Sequence, residues 1–189
     1  LGLQAGDRVA FYMSSAPEVI FLVLAAHKLG AVWVPINTDY KGEWLADTIK
    51  GSRPRVLVSD AAHVGRLGEI LDSLSIPELV LHGGHESVAG AHSFEQLYVA
   101  GAGEPDMSAF SAGDTCAVLW TSGTTGKAKG VMQSHNVWFN AAIASSEACQ
   151  FGIAADDIIY NVLPMYNSAA WVTAIFRALF AGLPLAIDP

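Results

Sequence analysis

Basic side chains are scarce in this chain: 10 Lys and Arg stand against 18 Asp and Glu, for a formal net charge of −8. Such a surface repels polyanions, which excludes general nucleic-acid binding. Any site for a phosphorylated ligand must therefore be made positive locally. Cysteine is nearly absent. Cys116 and Cys149 are the only two, one in a strand-like run and one in a helix-like run. That rules out a disulfide framework and implies buried free thiols in a reducing, cytoplasmic compartment. No uninterrupted apolar run of membrane length occurs. Residues 169–187 come nearest, but Arg177 sits in the middle and Gly182-Leu183-Pro184 near the end. A buried helix, turn and strand are expected there, and no integral membrane segment. The opening residues LGLQAGDRVA hold no basic region followed by an apolar core, so no signal peptide is expected. Internal repeats and low-complexity tracts are missing as well.

Apolar residues are plentiful: 52% of the chain is hydrophobic and 15% charged. Over 189 residues that suffices for a substantial core in one large or two small α/β units. Residues 8–12 alternate as a short strand. Ser15-Ala16-Pro17-Glu18 has the spacing of a capping box, with Ser15 as N-cap and Glu18 reaching back to it. The helix that follows is apolar nearly all round as far as Leu29, as expected of a helix buried between layers, and Gly30 is placed to end it. Further strands are expected at 31–36, 55–58 and 79–81. Between them come a short helix around Trp44, Leu45, Thr48 and Ile49, ended by Gly51, and a helix over 61–74. This alternation implies right-handed crossovers and an α/β fold of mainly parallel sheets flanked by helices.

Residues 83–111 turn rich in Gly, Ala, Ser and acidic side chains. They read as a surface connection with one short helix, dividing the chain into a first subdomain (1–101), a connection (102–113) and a second segment (114–189). His82-Gly-Gly-His85 and His92 invite a metal reading. Two glycines between the histidines deny a rigid pair, and no third ligand follows at suitable spacing, so solvated loop histidines and no metal site are expected.

The most informative stretch is CAVLWTSGTTGKAKGVMQ, residues 116–133. A buried strand (Ala117, Val118, Leu119, Trp120) stops at a loop of Thr, Ser, Gly, Lys and one Ala. Glycines let consecutive N–H groups turn toward an anion, hydroxyls at Thr121, Ser122, Thr124 and Thr125 add donors, and Lys127 and Lys129 add charge. The loop is suited to phosphate. It is not a Walker P-loop, because Thr121 stands where the first glycine belongs and Ala128 where the Mg²⁺-binding hydroxyl belongs. Beyond it, Ser134 can cap a helix over 136–151. A strand over 157–163, an apolar helix over 168–180 and a strand from 185 complete the chain.

Residues 121–130 resemble the signature loop of the adenylate-forming enzymes: acyl-CoA synthetases, luciferases and peptide-synthetase adenylation domains. There the pattern runs Thr-Ser-Gly-Thr-Thr-Gly-x-Pro-Lys-Gly. Ala128 replaces the Pro, removing a φ constraint from a loop expected to move. The likeness extends along the chain, through GDRVA and LGAVWVP (residues 3–35) and NVLPMYNSAAWVTAIFRALFA (residues 161–181). In the latter the family's aromatic is Tyr166, and its usual His is Asn167. Residues 35–43 are similar to carnitine-type and medium- or long-chain acyl-CoA ligases.

The resemblance implies a two-step reaction on a small-molecule carboxylate, ATP and CoA, with Mg²⁺: acyl-adenylate and pyrophosphate form first, then a thiol displaces AMP. It assigns Ser122, Gly123, Thr124, Thr125, Gly126 and Lys129 to the leaving phosphates, with Thr121 and the variable-position Lys127 beside them. Thr125 and Lys129 take the catalytic roles. Tyr166 and Asn167 become substrate-pocket candidates, while Trp171 is expected to be core. The family's later motifs, including its Mg²⁺-binding Glu, do not follow, so the chain is expected to be part of a longer enzyme and inactive alone. Two other readings stay open: a peptide-synthetase adenylation segment, and a non-catalytic nucleotide-binding protein.

Overall fold

A computed structural model describes residues 1–98, 103–121, 128–147 and 152–188. Its centre is a sheet built from β1 (Arg8–Tyr12), β2 (Val32–Pro35), β3 (Val56–Asp60), β4 (Glu78–His82), β5 (His92–Ser93), β6 (Thr115–Thr121) and β7 (Lys129–Ser134). The seven strands lie in the order β5-β4-β3-β1-β2-β6-β7. All neighbours are parallel except β6 and β7, which form an antiparallel hairpin. A separate parallel pair joins β8 (Ile159–Asn161) to β9 (Leu185–Ile187).

The alternation of side chains along each strand makes two cores. Val9, Phe11, Trp33, Val56 and Val58 face one layer, with α1 (Pro17–Leu29) and α5 (His135–Glu147). The helix pair α6 (Ser168–Ala170) and α7 (Phe176–Ala181) contributes to the same layer. Ala10, Tyr12, Val32, Val34 and Leu57 face the other, under α2 (Gly42–Ser52) and α3 (Val64–Gly68). Trp33, Trp138 and Trp171 meet at the centre of the first core, with ring centroids 5.0 and 5.1 Å from Trp33. Trp171 is thus core, its indole N–H donating to the Met165 carbonyl at 2.7 Å. No helix among the described residues is long and apolar enough to cross a membrane.

Several local expectations are corrected. Ser15 does not cap α1: Ala16 is the N-cap and Pro17 opens the helix, its missing N–H costing nothing there. The Ser15 hydroxyl instead accepts from the Met165 backbone N–H at 3.2 Å, tying the distant turn before α6 to the end of β1. α1 is covered on one side only, with Phe21 45% exposed. Gly30 does end it, at φ 66°, with Ala31 N–H bonding the Ala26 carbonyl. α2 ends at a left-handed Arg53, φ 47°, rather than at Gly51. The helix over 61–74 is a short α3 followed by a 3₁₀ turn, Leu71–Ser73. The connection after β4 contributes an edge strand, β5, and α4 (Phe94–Leu97). His82 and His92 are paired there with Glu95 and Glu78, at 2.9 and 2.7 Å, rather than simply solvated. The apolar helix over 168–180 carries a π segment, Trp171–Ile175, between α6 and α7.

Candidate functional site

Because β1, β2, β3, β4 and β6 are mutually parallel, their carboxyl ends share one edge of the sheet. The chain moves from β1 to β2 on one side, then back across β1 to β3 on the other. In open α/β sheets such a reversal leaves a crevice at the carboxyl ends of the strands, where ligands bind. The described candidates, Thr121, Lys129, Tyr166 and Asn167, lie along this edge.

The hairpin is the first part. Thr121, last in β6, lies opposite Lys129, first in β7. Both side chains are exposed, and the Thr121 hydroxyl donates to the Lys129 carbonyl at 3.4 Å. No salt bridge among the described residues engages Lys129. Ser122, Gly123, Thr124, Thr125, Gly126 and Lys127 lie outside the described residues. Thr121 and Lys129 thus frame them with a hydroxyl and an unpaired ammonium. That donor set fits anionic phosphate. With no carboxylate, it does not fit Mg²⁺, and no step below runs through the ion.

The strand feeding the hairpin is anchored from behind. Trp120 N–H donates to Ser52 Oγ at 2.8 Å, and Ser52 Oγ donates to the Thr48 carbonyl at 2.7 Å. Its ring lies against α2 so closely that a Cβ on Gly51 would come within 2.6 Å of it. Gly51 is therefore a packing glycine, which is why it does not end α2. Gly130 is similar: its Cβ would meet Val118 Cγ1 at 2.9 Å. That motif position serves packing against the sheet.

Tyr166 and Asn167 occupy the turn leading into α6. Tyr166 is half-buried, and burial, with Asp39 and Tyr40 nearby, pushes its phenol above the usual value. Asn167 is exposed and caps α6, its Oδ1 accepting from Ala169 N–H at 2.9 Å. The Ser15 bond to Met165 holds this turn at the end of β1.

Two polar clusters on the same edge escaped the sequence reading. Tyr12 OH donates to the Tyr40 carbonyl at 2.8 Å, and Arg66 donates to the Thr38 carbonyl at 2.7 Å. Together they pin the segment after β2. Asp60, at the end of β3, accepts from Ser14 N–H at 2.8 Å and from His63 N–H at 2.9 Å, with His63 Nδ1 2.6 Å away. Burial alone would raise the Asp60 carboxyl, but these hydrogen bonds outweigh it and hold the group below its usual range. An Asp three residues before His63, closing a strand, was the available signal.

Comparison with known proteins agrees with this fold. The family model described as AMP-binding enzyme matches residues 1–189. A crotonobetaine/carnitine–CoA ligase of Salmonella typhi is 33% identical over 187 residues, covering 96% of this chain and 36% of the relative. The inhibitor-bound N-terminal domain of FACL13 from Mycobacterium tuberculosis superposes with TM-score 0.80 at 30% identity, over 100% of this chain and 45% of that one. ATP-bound MatB from Rhodopseudomonas palustris gives TM-score 0.78 at 30% identity, over 100% of this chain and 36% of that one. The chain thus spans about a third of the length of the curated relative it matches. With its whole length matched and its phosphate-suited hairpin on the carboxyl edge of a parallel sheet, the chain belongs to the AMP-binding enzyme family.

Proposed function

We propose that this edge is the phosphate-holding part of an adenylating site in an acid–thiol ligase of the acyl-CoA synthetase class. The observation that carries the reading is the pairing of exposed Thr121 with exposed Lys129, which has no salt-bridge partner among the described residues, at the mouth of the hairpin. A substrate carboxylate oxygen attacks the α-phosphorus of ATP, the bond to the bridging oxygen breaks, and its electrons leave on pyrophosphate. Negative charge grows on the leaving group. Lys129, the loop hydroxyls including Thr125, and the loop N–H groups neutralise that charge, which is where phosphoryl-type transfer most needs the protein. Lys127 adds a second cation, and pyrophosphate then leaves. A thiol, taken to be CoA, then attacks the acyl carbon and expels AMP. Half-buried Tyr166 and exposed Asn167 line the acyl entrance in this reading, and Mg²⁺ would be carried on the ATP phosphates rather than by these residues.

The divisions 1–101, 102–113 and 114–189, a cytoplasmic location and a place in fatty-acid activation belong to the same proposal. So does inactivity of the 189-residue chain by itself, because it spans 36% of the ligase it matches. Acyl-hydroxamate formation from ATP by that chain alone would contradict this. The reading is tested on the native protein carrying the chain, by exchange of labelled pyrophosphate into ATP with a panel of acids. Straight-chain acids, crotonobetaine and carnitine belong in the panel, since the last two are named by the relative. Exchange driven by these acids supports the reading. Exchange driven only by amino acids points to peptide-synthetase chemistry, and none with any acid points to nucleotide binding without catalysis.

A further inference from the structure

His27, Cys116 and His135 come from α1, β6 and α5, and one potential ligand atom of each lies within 4.8 Å of the others. The geometry points to a partly buried three-ligand site, His27, Cys116 and His135, for a zinc-class divalent cation. Two observations carry it. The His27 and His135 Nδ1 atoms already stand 3.0 Å apart, although 108 residues separate them. Around a tetrahedral zinc with bonds of about 2.0 Å to N and 2.3 Å to S, ligand atoms stand roughly 3.3–3.6 Å apart, so closure needs shifts of roughly 1 Å. Next, the register of β6 against β7 shifts between Thr115 and Ala117. A bulge there lets two successive side chains, Cys116 and Ala117, join the same core, and so aims the thiol at the histidines.

A cleft of about 510 Å³ reaches the two histidines between Phe110, Trp138, Phe139 and Phe176. It supplies an entry path and room for a water as fourth ligand. One thiolate and two imidazoles form a donor set that prefers zinc-class ions to Mg²⁺ or Ca²⁺. Binding converts the Cys116 thiol to thiolate, its proton passes to solvent, and the sulfur lone pair goes to the metal. No redox step is involved.

The test uses the native protein, free of ATP and stripped with chelator, then titrated with Co²⁺ as a spectroscopic stand-in for Zn²⁺. The expected result is one equivalent bound with a thiolate-to-cobalt charge-transfer band, bleached by Zn²⁺. Cys116→Ser should abolish the band, and His27→Gln should weaken binding at least about tenfold. His82→Ala and His92→Ala, which lie outside the cluster, should leave both unchanged. Absence of the band in the wild-type protein would overturn the proposal whatever the variants do. So would uptake that survives Cys116→Ser, or uptake of copper(I) alone.

Discussion

At the scale of single residues, the acidic chain concentrates its useful polarity in a few places. Asp60 is the best satisfied of these, 7% exposed and bonded through both carboxylate oxygens. Because its folded pKa lies below the ordinary value of 3.8, the stability it contributes is complete above that value. It is lost as pH falls through the lower folded pKa. Thermal melts of the wild-type protein should therefore show a decline in Tm below about pH 4 that is shallower in Asp60→Asn, which at pH 7 should be about 1–2 kcal/mol less stable. Identical slopes for the two proteins would show that the Ser14 and His63 bonds carry no net weight.

At the scale of elements, the end of β6 next to its loop is anchored to α2 by the indole of Trp120. The ring needs Gly51 to be bare and Ser52 to accept its N–H. Gly51→Ala should cost about 1–3 kcal/mol by overpacking, and Trp120→Phe about 1 kcal/mol or more, both measurable by urea unfolding. Since Gly51→Ala leaves α2 intrinsically more helical, a stabilising result would mean that the ring can move aside at little cost. The same region shows what could and could not be read from the residues alone. Strands β1, β2, β3 and β9, α1 and the Ser134 cap of α5 follow from apolar pattern and local signals, and the structure has them close to where those signals lie. Gly51 misled because a glycine near a helix end looks alike whether it caps or makes way for a ring. Ser15 misled because its bonding partner, Met165, is 150 residues away. The hairpin partner β7 was hidden by its glycine and lysine, which suit a phosphate loop equally well. Of the candidate site, Thr121 and Lys129 were legible as flanking positions of one contiguous motif. The clusters around Tyr12 and Asp60 were not, since only the parallel register brings them to one edge.

At the scale of the whole molecule, α5 and α7 carry apolar side chains open to solvent, Phe139 54% and Phe180 52% exposed with ring centroids 6.1 Å apart, and the edge strand β7 adds Met132, 70% exposed. Patches of this kind mark surfaces meant for contact. The isolated 189-residue chain should bind a hydrophobic dye such as ANS and self-associate in sedimentation, and Met132→Lys with Phe180→Lys should reduce both. A monodisperse, dye-silent chain would show that these side chains are tolerated singly. The central claim concerns the other edge, where Thr121 and Lys129 frame the loop. Its most direct measurement is carboxylate-dependent pyrophosphate exchange by the native protein with Lys129 intact and with Lys129→Met. Since the side chain is exposed and free of salt bridges among the described residues, Tm should stay within about 1 °C of wild type. The account predicts that kcat/KM for ATP falls about 100-fold or more, the usual effect of removing one preorganised charge from a transition state. A change of less than about twofold at unchanged Tm would contradict it.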